Sequence, residues 1–218
     1  MKFELENKGF AKTHLTHIPS DDELLVIAKS FGSELLHWEF GPIMKMGFDQ
    51  EAKNYLFSAE EVPFHWDGAF FKEPRFLMFF CDESNGVGGE TLFTDTTKML
   101  QDFDVNELRS VRMNFKTEKL AHYGGEIDVP LLQTHPITNK PILRFAEAVS
   151  SQKNPVTLSM SGHAPDLYER LKTSAYRHTF EQTWQTGELI IVDNFRFIHG
   201  RRALNTNLSR RFRRIQIM

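Results

Sequence analysis

The strongest structural signal in the sequence is the stretch WQTGELIIVDNFRFIHGR, residues 184–201. Gly187 indicates a turn, and the apolar residues 189–192 indicate a short buried strand. A polar Asp193-Asn194 corner follows this strand, and a lone histidine, His199, comes shortly after it. A buried strand that ends in polar side chains predicts a sheet-rich core with a candidate functional site at its edge.

Short apolar runs bounded by turn residues recur in both directions from this stretch. They predict strands at residues 55–58, 75–81, 91–94, 111–117, 142–145, 188–192 and 211–217. Helices are predicted at residues 21–31, 96–103, 106–110 and 165–176, the first of them with Ser20 and Glu23 as a capping box. Many short strands and few helices favour a mainly β fold with flanking helices, in the form of a double-stranded β-helix (jelly roll).

Composition and charge limit the classes of protein to which the chain can belong. Its 218 residues fit a single domain spanning residues 1–218, and 20 phenylalanines indicate a core of large flat side chains. A net charge of −3 offers no basic surface, so nucleic acid is not an expected partner. The single cysteine excludes an internal disulfide, and no apolar run approaches the ~18 residues of a membrane helix. We therefore expect a cytoplasmic protein without a membrane partner.

The triplet His65-Trp66-Asp67 has the spacing of two metal ligands on one strand. Residues two apart on an extended segment project to the same face, so the imidazole and the carboxylate can reach one ion while Trp66 points away. The spacing alone is common, and His37-Trp38-Glu39 repeats it with a glutamate. We interpret His37 as structural because the turn residues expected at a metal-bearing strand end do not surround it.

A second histidine, far along the chain, completes a recognisable set of ligands. Two imidazoles and one carboxylate, here from His65, His199 and Asp67, form the facial triad of non-haem Fe(II) oxygenases. A tetrahedral zinc site uses the same ligand types with one water. The three residues therefore predict a metal site, but they do not by themselves choose between iron and zinc.

A candidate anchor for a dicarboxylate favours iron. If residues 209–218 form a strand, Arg210, Phe212 and Arg214 share one face, and Arg211 and Arg213 share the other. A guanidinium can grip a carboxylate through two parallel hydrogen bonds. We take Arg210 as the candidate for the distal carboxylate of 2-oxoglutarate. The opposite, isoleucine-bearing face is an alternative inner face, and Arg211 and Arg213 are also compatible with a solvated run of charges.

Motifs in a fixed order resemble the taurine dioxygenase-like (TauD/TfdA) superfamily of Fe(II)/2-oxoglutarate-dependent oxygenases. They are Phe64-His65-Trp66-Asp67-Gly68, the segment GGETLFTDT at residues 88–96, Asp193-Asn194 with His199-Gly200-Arg201, and Arg210. The resemblance covers residues 60–100 and 184–216 well. It implies three roles, with Fe(II) held by His65, Asp67 and His199, 2-oxoglutarate by Thr91 and Arg210, and an anionic substrate by Arg214.

The resemblance also implies a reaction and a class of substrate. Members of the superfamily use O2 and a small-molecule substrate, and they decarboxylate 2-oxoglutarate to succinate and CO2. The segments at residues 65–68, 134–138 and 143–145 are most similar to natural-product oxygenases of isocyanide pathways. This similarity implies hydroxylation or desaturation of an amino-acid-derived substrate. Asp67 argues against halogenation, since halogenating relatives carry a small residue there.

Several further polar residues have two interpretations from sequence. His122 could line the substrate pocket or lie exposed in a loop, and Asn194 could orient His199 or only close its turn. Arg144 and Arg201 could contact substrate or form surface ion pairs. The sequence does not predict an oligomeric state.

Two other functions compete with the oxygenase. A metal-dependent hydrolase would use the same triad to activate water, but the sequence offers no general base beside it and no role for Arg210. A non-catalytic jelly-roll binding protein would not need the triad at all. Formation of succinate from 2-oxoglutarate distinguishes the oxygenase from both alternatives.

Overall fold

The computed structural model describes residues 1–85, 88–118, 125–153, 155–162, 165–205 and 209–218. Its strands are numbered β1 to β14 and span Phe10–His14, Ile43–Gly47, Val62–His65, Phe76–Ser84, Thr91–Asp95, Arg112–Thr117, Gly125–Pro130, Leu132–Thr134, Pro141–Leu143, Thr157–Ser161, Thr179–Gln182, Glu188–Asp193, Phe197–Arg201 and Arg210–Ile217. Its α-helices α1 to α5 span Lys2–Lys8, Asp21–Lys29, Thr96–Met99, Val105–Leu108 and Leu167–Arg177. The predicted mainly β fold with flanking helices is confirmed.

A five-stranded antiparallel sheet with the order β1-β12-β4-β14-β2 is the largest in the described part of the chain. Its central strand β4 is apolar on both faces over residues 76–81, and both faces are buried. β14 lies between β4 and β2, and its register against β4 shifts between Arg211 and Phe212. This sheet places Arg213 and Arg214 of β14 in the interior, while Arg211 stays exposed.

A four-stranded antiparallel sheet with the order β11-β5-β13-β3 carries both candidate histidine ligands. His199 of β13 lies opposite His65 of β3, and the register shifts between His199 and Arg201. Gly200 lies at this shift, where an added Cβ would come within 2.7 Å of the Val62 carbonyl oxygen. A glycine is therefore needed for β3 to approach β13 closely enough to bring the two imidazoles together.

The two sheets pack face to face through one apolar cluster. Its members come from β4, β12 and β14 on one side and from β5 and β13 on the other, and they include Leu77, Phe79, Phe93, Ile190, Val192, Phe197 and Phe212. Aromatic rings dominate this contact, for example Phe79 against Phe93 at 6.2 Å between centroids. The abundance of phenylalanine in the sequence therefore corresponds to this packed core.

Helices and a small sheet cover the outer faces. Leu24 and Ala28 of α2 pack with the outer residues of the five-stranded sheet, and its capping box is present, with Ser20 Oγ accepting from the Glu23 amide at 3.2 Å. α5 and the three-stranded sheet β10-β6-β7 cover the four-stranded sheet. A two-stranded sheet, β8-β9, completes the described strands. No helix in the described part of the chain is long and apolar enough to cross a membrane.

The predicted elements match the structure unevenly. The strand predicted at residues 55–58 is wrong, because Tyr55–Phe57 is a 3-10 helix whose N-cap Asn54 accepts a hydrogen bond from the Leu56 amide. Local side-chain capping overrides the strand preference of its aromatic residues there. The helix predicted at residues 96–103 is divided into α3 and the 3-10 helix Leu100–Asp102. The helix predicted at residues 21–31 ends at Lys29.

Candidate metal centre between two cavities

Two strands and the turn after one of them bring His65, Asp67 and His199 together. His65 ends β3, Asp67 follows it by two residues, and His199 lies in the middle of β13. One ligand atom from each residue lies within 4.8 Å of the other two. Asp67 Oδ1 is 3.6 Å from His65 Nε2 and 3.7 Å from His199 Nε2. The two imidazole nitrogens and one carboxylate oxygen therefore face a common point.

The donor atoms of this cluster fit a divalent metal ion. Two ligands that each lie roughly 2.1 Å from one ion can be at most about 4.2 Å apart, and both nitrogen–oxygen distances fall within that limit. His65 Nδ1 lies 2.9 Å from the Pro63 carbonyl oxygen, which requires a proton on Nδ1 and leaves the Nε2 lone pair for an ion. Burial, followed by the nearby His65, holds the pKa of His199 well below its ordinary value. His199 is therefore neutral and able to donate a lone pair.

Asp67 is buried yet held as an anion. Its Oδ2 accepts a hydrogen bond from Gln216 Nε2 at 2.6 Å. Arg214 Nη1 donates a hydrogen bond to Oδ1 at 3.4 Å and lies 3.1 Å from Oδ2, within ion-pair distance. Burial alone would raise the pKa of this carboxyl group, but the positive charge of Arg214 lowers it well below its ordinary value. The Gln216 amide therefore binds Oδ2 alone, whereas Oδ1 is the oxygen that lies near the two imidazoles.

The backbone of Asp67 is clamped by Asn194. Asn194 Oδ1 accepts from the Asp67 amide at 2.9 Å, and Asn194 Nδ2 donates to the Asp67 carbonyl oxygen at 3.0 Å and to that of Pro74 at 2.9 Å. From sequence, Asn194 could orient His199 or only close its turn, whereas in the structure its side-chain amide binds the turn that carries Asp67. The next residue, Gly68, has φ of 84° and no room for a Cβ beside Lys72. The turn is therefore fixed on both sides of the carboxylate.

A small cavity of about 60 Å³ lies on one side of the cluster and is cationic. Arg210, Thr91, Trp184 and Arg201 are among its lining residues. Thr91 Oγ1 accepts from Trp184 Nε1 at 2.8 Å and from Arg210 Nη2 at 3.1 Å. The Arg210 guanidinium lies over the Phe212 ring at 4.3 Å. Ring stacking and the threonine hydroxyl therefore fix the direction of the guanidinium.

The charge of this cavity is not neutralised from within. Among the described residues, no carboxylate lies within ion-pair distance of Arg210 or Arg201. Burial, followed by the charge of Arg201, lowers the pKa of Arg210 to about 9. Burial lowers the pKa of Arg201 to about 10. Two cations in one buried space without a counter-ion favour an anionic ligand.

A larger cavity of about 300 Å³ lies on the other side and is aromatic. Its ring-bearing walls come from Trp38, Phe40, Tyr55, Phe57, Trp66, Phe70, Phe71 and Phe115. His65 and Arg214 line both cavities, and Asp67 lines the larger one. The candidate ligand side chains therefore form the boundary between a cationic space and an aromatic one.

The structure places the remaining arginines of the C-terminal strand on two faces. Arg210, Phe212 and Arg214 line the small cavity, so the arginine-bearing face points inward, while the isoleucines pack under α2. Arg211 is exposed and pairs with Glu83. Arg213 is buried and pairs with Asp82 and Asp21, both at 2.7 Å. A solvated run of charges therefore describes Arg211 but not Arg213.

The other residues singled out from sequence have mainly structural contacts. Arg144 is buried, pairs with Glu73 at 2.7 Å and donates to the Asn194 carbonyl oxygen, so it is neither a surface ion pair nor a lining residue of either cavity. Arg201 donates to the Ser58 and Glu60 carbonyl oxygens. His37 is exposed and outside the ligand cluster.

Arg214 and His122 are the two remaining candidates for substrate contact. Arg214 has a partner that the sequence did not reveal, the candidate ligand Asp67. Its Nη2 contacts the sulfur of Met44 at 3.2 Å, and its Nε has no hydrogen-bond partner among the described residues. His122 lies outside the described residues, so its predicted place in the pocket stays a prediction.

Sequence reasoning missed two polar residues of the site. Gln216 follows Arg210, Phe212 and Arg214 in the same alternation along β14, so its inward direction was available from the predicted strand. Trp184 reaches Thr91 from a loop 93 residues away, and nothing local in the sequence marks that contact. Pairing across strands, not local spacing, brings it to the site.

The comparisons with known proteins agree with this geometry. The family model described as "Taurine catabolism dioxygenase TauD, TfdA family" matches residues 9–216. The 3-((Z)-2-isocyanoethenyl)-1H-indole synthase of Fischerella ambigua is 37% identical, over 90% of this chain and 77% of its own length. A tyrosine isonitrile desaturase of Pseudomonas aeruginosa is 30% identical, over 96% of this chain and 79% of its own length.

Solved structures show the same similarity at the level of the backbone. Two structures of PvcB, one of them from Pseudomonas aeruginosa, match with TM-scores of 0.80 and 0.76 and identities of 26% and 25%. Each match covers 99% of this chain and 78% of the other. PvcB is described as an Fe, alpha-ketoglutarate dependent oxygenase from an isonitrile synthetic pathway.

Proposed function

The chain belongs to the taurine catabolism dioxygenase TauD, TfdA family and is a non-haem Fe(II)- and 2-oxoglutarate-dependent dioxygenase. We propose which residues carry this activity and which class of substrate it acts on. The family selects this activity over the hydrolase and the non-catalytic binding protein. One observation supports the proposal most strongly: the His65, Asp67 and His199 cluster lies between a cationic cavity and an aromatic one.

His65, Asp67 and His199 hold the iron in this proposal. Two imidazoles and one carboxylate suit Fe(II), with His199 neutral and Asp67 charged, and they leave other coordination positions to the co-substrates. Bound iron and 2-oxoglutarate together supply an oxidant that can break a C–H bond, at the expense of one O2 and with succinate and CO2 as products. Gln216, Arg214 and Asn194 keep Asp67 charged and fixed in direction.

Arg210 and Thr91 bind the distal carboxylate of 2-oxoglutarate in the small cavity. A carboxylate there would receive charge-assisted hydrogen bonds from a guanidinium that lacks an ion-pair partner among the described residues. Trp184 holds the Thr91 hydroxyl in place through its indole N–H. The cavity therefore selects a dicarboxylate by its negative charge and by its length, which must span the distance from the iron to Arg210.

The substrate in this proposal is an isonitrile derived from an aromatic amino acid. The larger cavity offers flat apolar walls, which suit an indole or phenol ring. The relative at 30% identity is named as a tyrosine isonitrile desaturase, and the one at 37% identity is named as the synthase of an indole that carries an isocyanoethenyl group. Arg214 lines the same cavity. Its Nη2 and Nε have no oxygen partner among the described residues, and in this proposal they bind the substrate carboxylate. His122 is a further candidate contact from sequence.

Desaturation is the proposed outcome. The substrate loses two hydrogen atoms from adjacent carbons, or one hydrogen together with its carboxylate as CO2, and a C=C bond forms. One oxygen atom of O2 enters succinate and the other leaves as water, so the electrons balance. The product names of the relatives support this outcome over hydroxylation.

Three further proposals concern the molecule as a whole. The two facing sheets support a jelly-roll arrangement, in which the metal lies between them near one end. The family match over residues 9–216 supports a single domain spanning residues 1–218. A cytoplasmic location without a nucleic-acid partner stays a prediction from composition.

Product analysis tests the proposed function. The purified chain is incubated with Fe(II), ascorbate, 2-oxoglutarate and O2, with the isonitriles of tryptophan, tyrosine and leucine as candidate substrates. We expect succinate in amounts matched to product with the two aromatic compounds, and products lighter by two hydrogens or by formic acid. A product heavier by one oxygen would replace desaturation with hydroxylation. Absence of succinate under all conditions would contradict the oxygenase itself.

A further inference from the structure

Trp38 is joined to the candidate metal ligand Asp67 through a single side chain. Its Nε1 donates to Gln216 Oε1 at 3.1 Å, and Gln216 Nε2 donates to Asp67 Oδ2 at 2.6 Å. An indole N–H can only donate, so it fixes the amide oxygen of Gln216 toward Trp38 and the amide nitrogen toward Asp67. The hydrogen bond from Trp38 and the hydrogen bond to Asp67 are therefore both satisfied by one orientation of the Gln216 amide.

The backbone around Trp38 fixes it beside the C-terminal strand. Leu35 forms a bridge with Ile217, and the Leu36 amide donates to the Gln216 carbonyl oxygen at 2.9 Å. Trp38 and Gly41 then exchange backbone hydrogen bonds at 3.0 and 2.9 Å. The chain before Trp38 thus runs along β14 and turns at the level of Gln216, which places the indole within reach of the amide.

The opposite side of Trp38 faces the aromatic cavity. Its ring stacks on Phe40 with centroids 6.4 Å apart and an interplanar angle of 20°, and it lies 5.9 Å from Phe71. Phe40 and Phe71 are 57% and 58% exposed, unusually high for large apolar side chains, and both line the cavity. Trp38 is therefore the inner member of an aromatic group, Trp38 with Phe40 and Phe71, that a substrate would contact.

The hydrogen bonds of Asp67 show what this link controls. Oδ1 is the oxygen near both imidazole nitrogens, whereas Oδ2 accepts the hydrogen bond of Gln216. Without the amide donor only Arg214 would remain, and because it contacts both oxygens, at 3.1 and 3.4 Å, it does not determine which of them faces the imidazoles. Outer hydrogen bonds of this kind typically change metal affinity or activity by about 10–100-fold.

We propose that Trp38 is a positioning residue that sets the direction of the Asp67 carboxylate through Gln216, and so links the aromatic cavity to the metal centre. The inference rests on the proposed function, because it assumes that Asp67 is a metal ligand. It gives the His37-Trp38-Glu39 triplet a role through its middle residue, not through the ligand types at its ends.

A double-mutant cycle with Trp38→Phe and Gln216→Met tests this link, with Co(II) affinity measured by calorimetry in the absence of substrate. We expect Gln216→Met to weaken Co(II) binding by about 10–100-fold, and Trp38→Phe to weaken it by about 2–10-fold through the lost hydrogen bond. In the Gln216→Met background, Trp38→Phe should have almost no further effect. Phe40→Leu, which touches the indole but not the amide, is the matched control and should keep the Co(II) affinity of the wild type.

Circular dichroism checks the fold of each variant, and Trp38→Leu replaces Trp38→Phe in the cycle if the latter does not fold. Unchanged Co(II) affinity in the Trp38 variant would overturn the inference, as would an equal loss in both backgrounds. Either result would leave the metal site intact, since the wild type would still bind Co(II). A wild-type chain that does not bind Co(II) would overturn the proposed function and this inference with it.

Discussion

Two cavities meet at the candidate metal centre. They differ in the side chains that their walls offer to a ligand. The small cavity presents the buried Arg201 and the half-buried Arg210, two cations without a carboxylate partner among the described residues. The large cavity presents mainly aromatic rings. Its Gln216 and Glu147 are already hydrogen-bonded, and Arg214, which lines both cavities, is paired with Asp67. Charge without a counter-ion specifies one ligand group closely, whereas apolar rings accept any flat molecule of suitable size.

This contrast predicts that mutations on the two sides separate cleanly in kinetics. Changes in the small cavity should alter the dependence on 2-oxoglutarate, and changes in the large cavity should alter the dependence on substrate. Buried charge–charge contacts are worth more than single ring contacts, so the effects should be larger on the cationic side.

Arg210→Met should have the largest effect. Removing one partner of a buried charged hydrogen-bond pair costs about 2–5 kcal/mol, so the KM for 2-oxoglutarate should rise by at least about 30-fold. Succinate formation measured against 2-oxoglutarate concentration checks this. Arg211→Met is the matched control, because Arg211 is exposed, lies on the opposite face of the strand and pairs with Glu83. If the two variants had equal KM values for 2-oxoglutarate, Arg210 would not bind this cosubstrate.

Thr91→Val should act in the same direction with a smaller effect. The variant keeps the shape of the side chain but loses the hydroxyl that accepts from Trp184 and Arg210. The loss of a hydrogen bond of about 1 kcal/mol predicts a KM for 2-oxoglutarate raised by about fivefold, with little change in the KM for substrate. If only the KM for substrate changed, Thr91 would belong to the substrate site and not to the 2-oxoglutarate site.

Phe71→Ala should have the smallest effect and should act on the other side. Phe71 is exposed and contacts Trp38 at the mouth of the large cavity, so its removal should cost little stability. Loss of one aromatic contact, worth about 0.5–1.5 kcal/mol, predicts a substrate KM raised by about 2–10-fold. The KM for 2-oxoglutarate, measured in the same assays, should not change. A parallel rise in both values would mean that the two cavities are not independent.

The same contrast shows which parts of the site the sequence could reveal. His65 and Asp67 are two residues apart on an extended segment, and Arg210 and Arg214 alternate along one strand, so their shared directions follow from strand geometry. The capping box at Ser20 and Glu23 was equally local and was confirmed. These features depend only on neighbours in the chain.

Other features depend on contacts between distant segments and could not be predicted. Asn194 clamps Asp67 across 127 residues, and Trp184 reaches Thr91 across 93. The burial of Arg213 depends on Asp82 and Asp21, which lie far away in sequence. The 3-10 helix at Tyr55–Phe57 was mistaken for a strand because its aromatic residues favour strands while Asn54 caps a turn. Strand order decides such contacts, and the sequence did not specify it.

The account depends on one metal ion and one dicarboxylate sharing the boundary between the two cavities. Calorimetric titration of 2-oxoglutarate into the Co(II)-loaded chain, alongside His199→Ala under the same conditions, tests this most directly. We predict one 2-oxoglutarate bound per wild-type chain only when Co(II) is present, and no measurable binding to His199→Ala. Binding of 2-oxoglutarate that is equally strong without metal, or unaffected in His199→Ala, would contradict the account.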